Sequence, residues 1–580
     1  MAEAIVRRQR RVTDDRLPAG LHPVLRRVYA ARTIDSPDDL DYSLDRLLPA
    51  TLLGGLAEAV DVLEAVVRES RRIVIVGDFD ADGATSVALC VRVLRLMGAA
   101  DVRYLVPNRF EYGYGLTPEI VAAAALLEPA VIMTVDNGIS SVAGVQAARV
   151  RGIQVLITDH HLPGAQLPAA NAIVNPNLPG DTFPSKYLAG VGVAFYVMLA
   201  LRARLRGQGW FERSSLADPN LAQFLDLVAL GTVADVVPLD RNNRILVQQG
   251  IQRIRAGYCV PGIRALLDAG GRRHVNCVAG DLGFSVAPRL NAAGRLEDMS
   301  IGIECLLSGD ETSARTLAAR LDVLNAERRQ IEADMQAQAL AAIGRLHLDA
   351  KRLPVGLCLF EPDWHQGVVG ILAARIKERF HRPVIAFARS GTGELKGSAR
   401  SVAGLHIRDV LDAVAARHPG LVAKFGGHAM AAGLTLDETC YAEFSRAFDA
   451  EVHRHLSSED LRGVVYTDGE LTGEELSLET AQLLRDAGPW GQEFPGPVFD
   501  GDFEILTQRV VGQRHLKLSV KPVSGSGCID AIAFNTTVLP GSSRRVRMAY
   551  RLDVNEYRGM VSPQLIVEHI ETLQRPEQGN

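Results

Sequence analysis

The sequence predicts an α/β protein in which a mainly parallel sheet comes first, a long helix connects it to a second α/β unit, and a small five-stranded β-barrel follows. Three observations carry that reading. Between residues 73 and 175, short β-branched runs alternate with Ala- and Leu-rich amphipathic segments, the pattern of strands buried on both faces and joined by helical crossovers. Residues 311–345 repeat apolar positions at helical spacing and hold no Gly or Pro before Gly344. Past residue 463, five strand-like runs follow one another with few helical signals. With 580 residues, 47% of them hydrophobic, the chain is long enough to bury several cores.

Taken in order, residues 1–70 read as a helical lead-in without visible chemistry, with apolar residues at helical spacing over 23–32 and 53–67. Residues 71–310 hold strands at 73–77, 102–107, 131–136, 154–159 and 172–175, with helices at 84–96, 118–127 and 142–149 between them. In a parallel sheet the carboxyl ends of the strands share one edge, and ligands bind there. Three of these ends carry chemistry: Asp78, Asp80 and Asp82 at the first, Asp136-Asn137-Gly138 at the third, Asp159-His160-His161 at the fourth. Asp235 sits in the apolar stretch 225–239, where a carboxylate needs a partner. The connecting helix is placed at 311–350, with Leu317, Leu321, Leu324, Ile331 and Met335 on one stripe. Residues 351–460 alternate strands (355–359, 384–388) with a helix (368–379) and Gly-rich turns. Within 461–580, runs at 498–506, 510–521, 529–534, 546–554 and 564–570 give the strand count of an OB-fold.

Composition narrows the function classes. Net charge is -5, so any surface for a polyanion must be local. The seven cysteines lie far apart, without the paired spacing of thiolate zinc sites, and read as reduced residues of a cytoplasmic protein. No run of about 18 apolar residues is present, so neither secretion nor a membrane span is expected.

Asp78, Asp80 and Asp82 repel one another wherever they share a face, and a divalent cation reverses the sign of that energy. Carboxylates with one or two imidazoles suit Mn²⁺ or Mg²⁺. Two such ions, about 3.5–4 Å apart, lower the pKa of a shared water and clamp phosphate oxygens. Each group alone has a plainer reading. Asp-x-Asp-Gly is commonly a solvated turn or cap, His160-His161 a surface pair, Asp136-Asn137-Gly138 an ordinary turn, and Asp235 a helix cap. Their joint occurrence at successive strand ends favours a metal site.

The motifs 77–83, 136–138, 159–161 and 231–235 resemble, in order and spacing, the four motifs of the DHH phosphoesterase superfamily. The stretches 287–295, 364–370 and 426–433 are similar to signatures of its single-strand-specific 5′→3′ DNA exonucleases, and the resemblance spans nearly the whole chain. It implies a DHH catalytic domain, a DHH-associated domain after the long helix, and a C-terminal OB-fold. It also implies a two-ion phosphodiesterase with Asp78, Asp80, Asp82, Asp136, His160 and Asp235 as metal ligands. His161 would stand beside the scissile phosphate and Asp159 would orient an imidazole.

Charge and glycine content suggest substrate contacts. Gly426, Gly427 and His428 lie in a stretch that lets backbone approach a phosphate and is expected to open a helix. Ser398 and Arg400 suit phosphate oxygens. Arg109, Arg289, Asn291 and Arg295 are placed toward the same cleft, and Phe110, Tyr112 and Tyr114 could stack bases. Between residues 501 and 560, nine Lys/Arg face five Asp/Glu, which suits a strand-tracking barrel in an otherwise acidic chain. The loop 489–497 departs from the family pattern by placing Glu493-Phe494 ahead of Pro495.

The expected function is therefore a processive single-strand 5′→3′ exonuclease of DNA repair and recombination, with two Mn²⁺ or Mg²⁺ ions. Its partners would be single-stranded DNA with a 5′ end, and single-strand-binding protein and a helicase. A hydrolase of small phosphoesters would need neither the long helix nor the tail, and a non-catalytic scaffold of this fold should have lost ligands. None is missing here.

Overall fold

The computed structural model describes residues 4–573 apart from 10–15, 33, 35, 108–114, 346–352, 392, 428, 458–459, 526, 540–542 and 558. After a short first strand, β1 (Ala4–Arg7), the first sheet comprises β2 (Ile73–Val76), β3 (Val102–Leu105), β4 (Val131–Val135), β5 (Gln154–Thr158) and β6 (Ala172–Val174). Every ladder in it is parallel and the order is β3-β2-β4-β5-β6. β2 is apolar throughout and β4 nearly so, because both faces of these central strands are covered. Ile73 and Ile75 of β2 face the core holding Val87 and Val91 of helix Ala81–Leu96, while Val74 and Val76 face Ile120, Val121 and Val145. The chain leaves β2 for β3 and returns to β4 on the other side, so the carboxyl ends of β2 and β4 flank the point where strand order reverses.

Helix Glu311–Arg345 carries the chain away from this unit. Its first half gives Ala314, Ala318, Leu321 and Leu324 to the main core, and its second half gives Met335, Ala339 and Ile343 to the core of the next unit. There β7 (Leu357–Phe360), β8 (Val384–Arg389), β9 (Glu394–Arg400), β10 (Lys424–Gly427) and β11 (Ala431–Asp437) form a mixed sheet in the order β10-β11-β9-β8-β7. The helix expected after Gly426-Gly427 is absent: β10 and β11 form an antiparallel hairpin. Ala432, Leu434 and Leu436 are buried at every second position, and that alternation outweighs the helical preference of the Ala-rich turn. Gly427, at φ 143°, closes it where a Cβ would lie 2.5 Å from Ala431 O.

Beyond β12 (Val464–Thr467), the strands β13 (Phe499–Val511), β14 (His515–Pro522), β15 (Ile529–Ala533), β16 (Arg545–Tyr557) and β17 (Met560–Thr572) close into a barrel ordered β13-β14-β15-β17-β16. The break expected at 507–509 is bridged by continuous strand, with a register shift between Ile505 and Thr507.

The lead-in differs from its helical expectation at β1, which pairs in parallel with β12. The exceptional loop before the barrel is an apolar plug. Phe494 is fully buried, stacks on Trp490 at 5.2 Å, and lies under the Arg244 guanidinium at 4.5 Å. Among the described residues, no helix is long and apolar enough to cross a membrane.

Candidate metal centre and its surroundings

The turn after β2 is fixed by its own carboxylates. Asp78 Oδ1 accepts the Phe79 N–H at 2.7 Å, and Asp80 caps helix Ala81–Leu96 by accepting the Gly83 N–H at 3.0 Å. Asn291 reaches in from helix Ala287–Leu296 and accepts the Ala81 N–H at 2.7 Å. Asp82 is buried in the first turn, where its two oxygens accept the N–H groups of Gly190 (2.6 Å) and Val191 (3.0 Å) at the start of helix Gly190–Gly207. Gly190 also makes room for Asp136, since a Cβ there would lie 2.6 Å from Asp136 Oδ1.

Asp136 sits just beyond β4 in the left-handed region, φ 62°, which a short polar side chain tolerates. The Asn137 amide locks the turn by donating to Val76 O (3.1 Å) and Val135 O (2.9 Å). Past β5, Asp159 Oδ2 accepts the Ile139 N–H at 2.9 Å, while Oδ1 accepts the His160 and His161 N–H groups and pairs with His161 Nδ1 at 2.7 Å. Asn175 and Asn177 donate to the carbonyls of His161 (2.9 Å) and His160 (2.6 Å). His160 Nε2 then lies 3.1 Å from Asp136 Oδ1 and 3.4 Å from Asp235 Oδ2, with Asp235 at the end of helix Leu225–Ala234.

Among the described residues, three sets of donor atoms lie within 4.8 Å of one another: Asp78, Asp80 and Asp136; Asp82, His160 and Asp235; Asp136, His160 and His161. Asp136 and His160 each belong to two of them. Burial and mutual repulsion raise the Asp136 carboxyl well above its ordinary value and push Asp82 and Asp235 up to about 7. Burial, with the neighbouring His161 charge, holds His160 down. His161 is raised to about 9: burial opposes its charge, and the Asp159 hydrogen bond and charge outweigh that. Asp159 is lowered: burial opposes its charge, and the His161 hydrogen bond, the two histidine charges and the Ile139 N–H together outweigh that. The centre is short of positive charge, and its donors are carboxylate oxygens and imidazole nitrogen, a set that fits Mn²⁺ or Mg²⁺.

The other expected contacts lie at varied distances from this centre. Asn291 is at the site, holding the Asp80–Asp82 turn. Arg289 is bound to Ser285 O (2.6 Å), Ala269 O (3.2 Å) and Asp322 of the connecting helix (2.8 Å), so its guanidinium is engaged within the fold. Arg295 donates to Gly367 O at 3.2 Å and thereby ties the first unit to the second. Ser398 and Arg400 lie against the start of helix Val369–Phe380, where a Cβ on Gly370 would meet both at 2.9 Å. Across the sheet, Ser398 pairs with Gly433 and Gly433 with Gly426, while Gly427 pairs with Ala432. Arg109, Phe110, Tyr112, Tyr114 and His428 lie outside the described residues. Sequence reasoning missed Gly190 and Val191, and Asn175 and Asn177. Their signals were faint: glycines at a helix start (190–192), and Asn-Pro-Asn directly after a strand (175–177).

Comparison with known proteins matches residues 72–232 to the DHH family N-terminal domain, 353–454 to the DHHA1 domain and 467–569 to the RecJ OB domain. The single-stranded-DNA-specific exonuclease RecJ of Dickeya dadantii is 60% identical over 566 residues, which cover 97% of this chain and 98% of that protein. The chain belongs to the RecJ family. Its fold is similar to that of Thermus thermophilus RecJ in complex with Mn²⁺, with TM-score 0.77 and 31% identity over 96% of this chain and 76% of that one. The same RecJ in complex with Mg²⁺ aligns with TM-score 0.72 and 29% identity over 96% and 75%. Within RecJ terms, the first sheet is the DHH unit, the mixed sheet the DHHA1 unit and the barrel the OB unit. Asp235 falls three residues past the DHH match.

Proposed function

We propose that this RecJ family member is a single-strand-specific exonuclease that hydrolyses phosphodiesters from a 5′ end with two divalent cations, Mn²⁺ or Mg²⁺. The observation that carries it is the shared position of Asp136. This carboxylate belongs both to the Asp78–Asp80 set and to a set with His160 and His161, and His160 in turn belongs to the set with Asp82 and Asp235. Asp78, Asp80 and Asp136 would hold one ion, and Asp82, His160 and Asp235, with Asp136 between, the other. Such ions supply Lewis acidity and lower the pKa of a water at neutral pH.

The chain's own residues do the rest. Asp159, 2.7 Å from His161 Nδ1, fixes the ring and favours its cationic form, which can hold a phosphate oxygen or give a proton to the leaving oxygen. Ser398, Arg400 and the Gly426–Gly433 hairpin support the phosphate from the DHHA1 unit, with Gly427 and His428 in the same stretch. Arg109 remains part of the reading as a further phosphate contact. The barrel, with its local excess of Lys and Arg, feeds the strand and keeps hydrolysis processive. A cytoplasmic setting in DNA repair and recombination, and hand-over of the strand from a helicase and a single-strand-binding protein, belong to the same reading. So does the division into units at 1–70, 71–310, 311–350, 351–460 and 461–580.

The test offers a long 5′-phosphorylated single strand, a dinucleotide and a duplex, each with Mn²⁺. Degradation of the long single strand is expected, with the duplex spared. Preferential cleavage of the dinucleotide would turn the reading to a small-phosphoester hydrolase, and cleavage of none would turn it to a scaffold.

A further inference from the structure

A cavity of about 710 Å³ lies between the barrel and the DHH unit, walled by residues of both. Its walls include Arg551 of β16, Tyr466 of β12, Arg255, Trp490 of the plug loop, and Phe284. Phe284 is 89% exposed and Tyr466 50% exposed, far beyond what apolar rings of this size cost least. Phe284 stands on a π-helical turn, Leu282–Val286, inserted between Ala279–Asp281 and Ala287–Leu296. Such turns re-aim side chains and concentrate at functional sites. Gly283 beside it packs against Val233, where a Cβ would lie 3.1 Å from Val233 Cγ1, two residues before Asp235. Seven residues on, roughly 10 Å along the helix, Asn291 holds the Ala81 N–H of the metal turn. One rod therefore joins the cavity to the metal centre, and the barrel forms the cavity's opposite wall.

We propose that Phe284 and Tyr466 form a stacking subsite for bases of the substrate strand on its way between the barrel and the metal centre. This rests on the single-strand exonuclease reading. Rings stack on any base, which suits an enzyme that must accept every sequence. Arg8 lies over the Tyr466 ring at 5.5 Å, and Arg255 and Arg551 stand in the same walls, each paired with one carboxylate, Asp486 at 3.0 Å and Glu568 at 2.8 Å. The cavity is thus lined by rings and compensated cations, and stacking dominates over charge in holding a strand there.

The experiment measures affinity of the full chain with Mn²⁺ for a hydrolysis-resistant phosphorothioate single strand, and for the same strand with abasic sites. Phe284→Ala should weaken binding of the normal strand between about fivefold and about a hundredfold, Phe284→Trp should restore it, and the abasic strand should show no such difference. Because Phe284 is almost wholly in solvent, melting temperature checks that each variant is folded. Unchanged affinity of Phe284→Ala, or an equal loss with the abasic strand, overturns the subsite. If the unaltered chain degrades no single strands, the exonuclease reading itself has failed, a result distinct from each of these.

Discussion

At Asp159 a single buried oxygen accepts two backbone N–H groups and faces His161 Nδ1 at 2.7 Å, so the carboxylate sets both the backbone and the charge of the histidine pair. Replacing it by Asn keeps the shape and removes the charge. The His161 pKa, raised to about 9, should then fall toward the ordinary histidine value, leaving the ring neutral at pH 8. Asp159→Asn should cost roughly 10- to 100-fold in turnover, the range for groups that orient a site's side chains. NMR titration of the His161 ring is the check, and an unshifted titration would remove Asp159 from that role. The residue types at this site were legible in the sequence because several acids and imidazoles occur together at successive strand ends. The backbone donors on Asp82 were not, because an N–H carries no side-chain signature and Gly190 stands 108 positions away.

The first strand escaped prediction because its partner is distant. β1 is four residues long, mostly exposed, and pairs with a strand some 460 positions later, so neither periodicity nor length marks it. What holds it is Asp500, which accepts Arg7 (2.8 Å), Arg547 (2.7 Å) and the Thr467 hydroxyl (2.7 Å). Burial opposes the Asp500 charge, and these hydrogen bonds more than compensate, lowering its pKa from 3.8 to about 2. The stabilisation is therefore complete above the unfolded value near 3.8 and fades as pH falls toward 2. Asp500→Asn should melt below the unaltered chain at neutral pH, and the gap should close between about pH 4 and pH 2. A gap that persists at pH 2 would contradict the clamp. The plug loop gives a second test: Phe494→Ala should lose about 3–5 kcal/mol in denaturant unfolding, because the ring is wholly buried between Trp490 and Arg244. A loss under about 1 kcal/mol would mean that the barrel docks by other contacts.

Across the whole molecule, the connecting helix makes one body of units that the sequence presents as separate. Leu321 and Leu324 are in the main core and Met335 and Ile343 in the core of the DHHA1 unit, while the main core runs on through Phe494 and Phe499 into the barrel. The order of units was readable from where periodicity changes, since each fold type has its own period. Their junctions were not, because the contacts made there, such as Arg295 on Gly367 and Arg32, whose Nε donates to Pro495 O at 2.8 Å, join residues far apart in the chain. The hairpin at 426–433 shows the same limit: local helical preference lost to burial on a sheet whose other strands lie elsewhere in the chain. Central to the proposed function is the sharing of Asp136 by two cations. Counting bound Mn²⁺ by calorimetry and electron paramagnetic resonance, alongside hydrolysis of a 5′-phosphorylated single strand, tests it most directly. Two ions per chain are expected, with spin coupling between them. In Asp136→Ala the coupling and the hydrolysis should vanish together, the latter by more than about a hundredfold, while the protein stays folded and still binds single strands. A single uncoupled ion in the active chain, or turnover retained in Asp136→Ala, would contradict it.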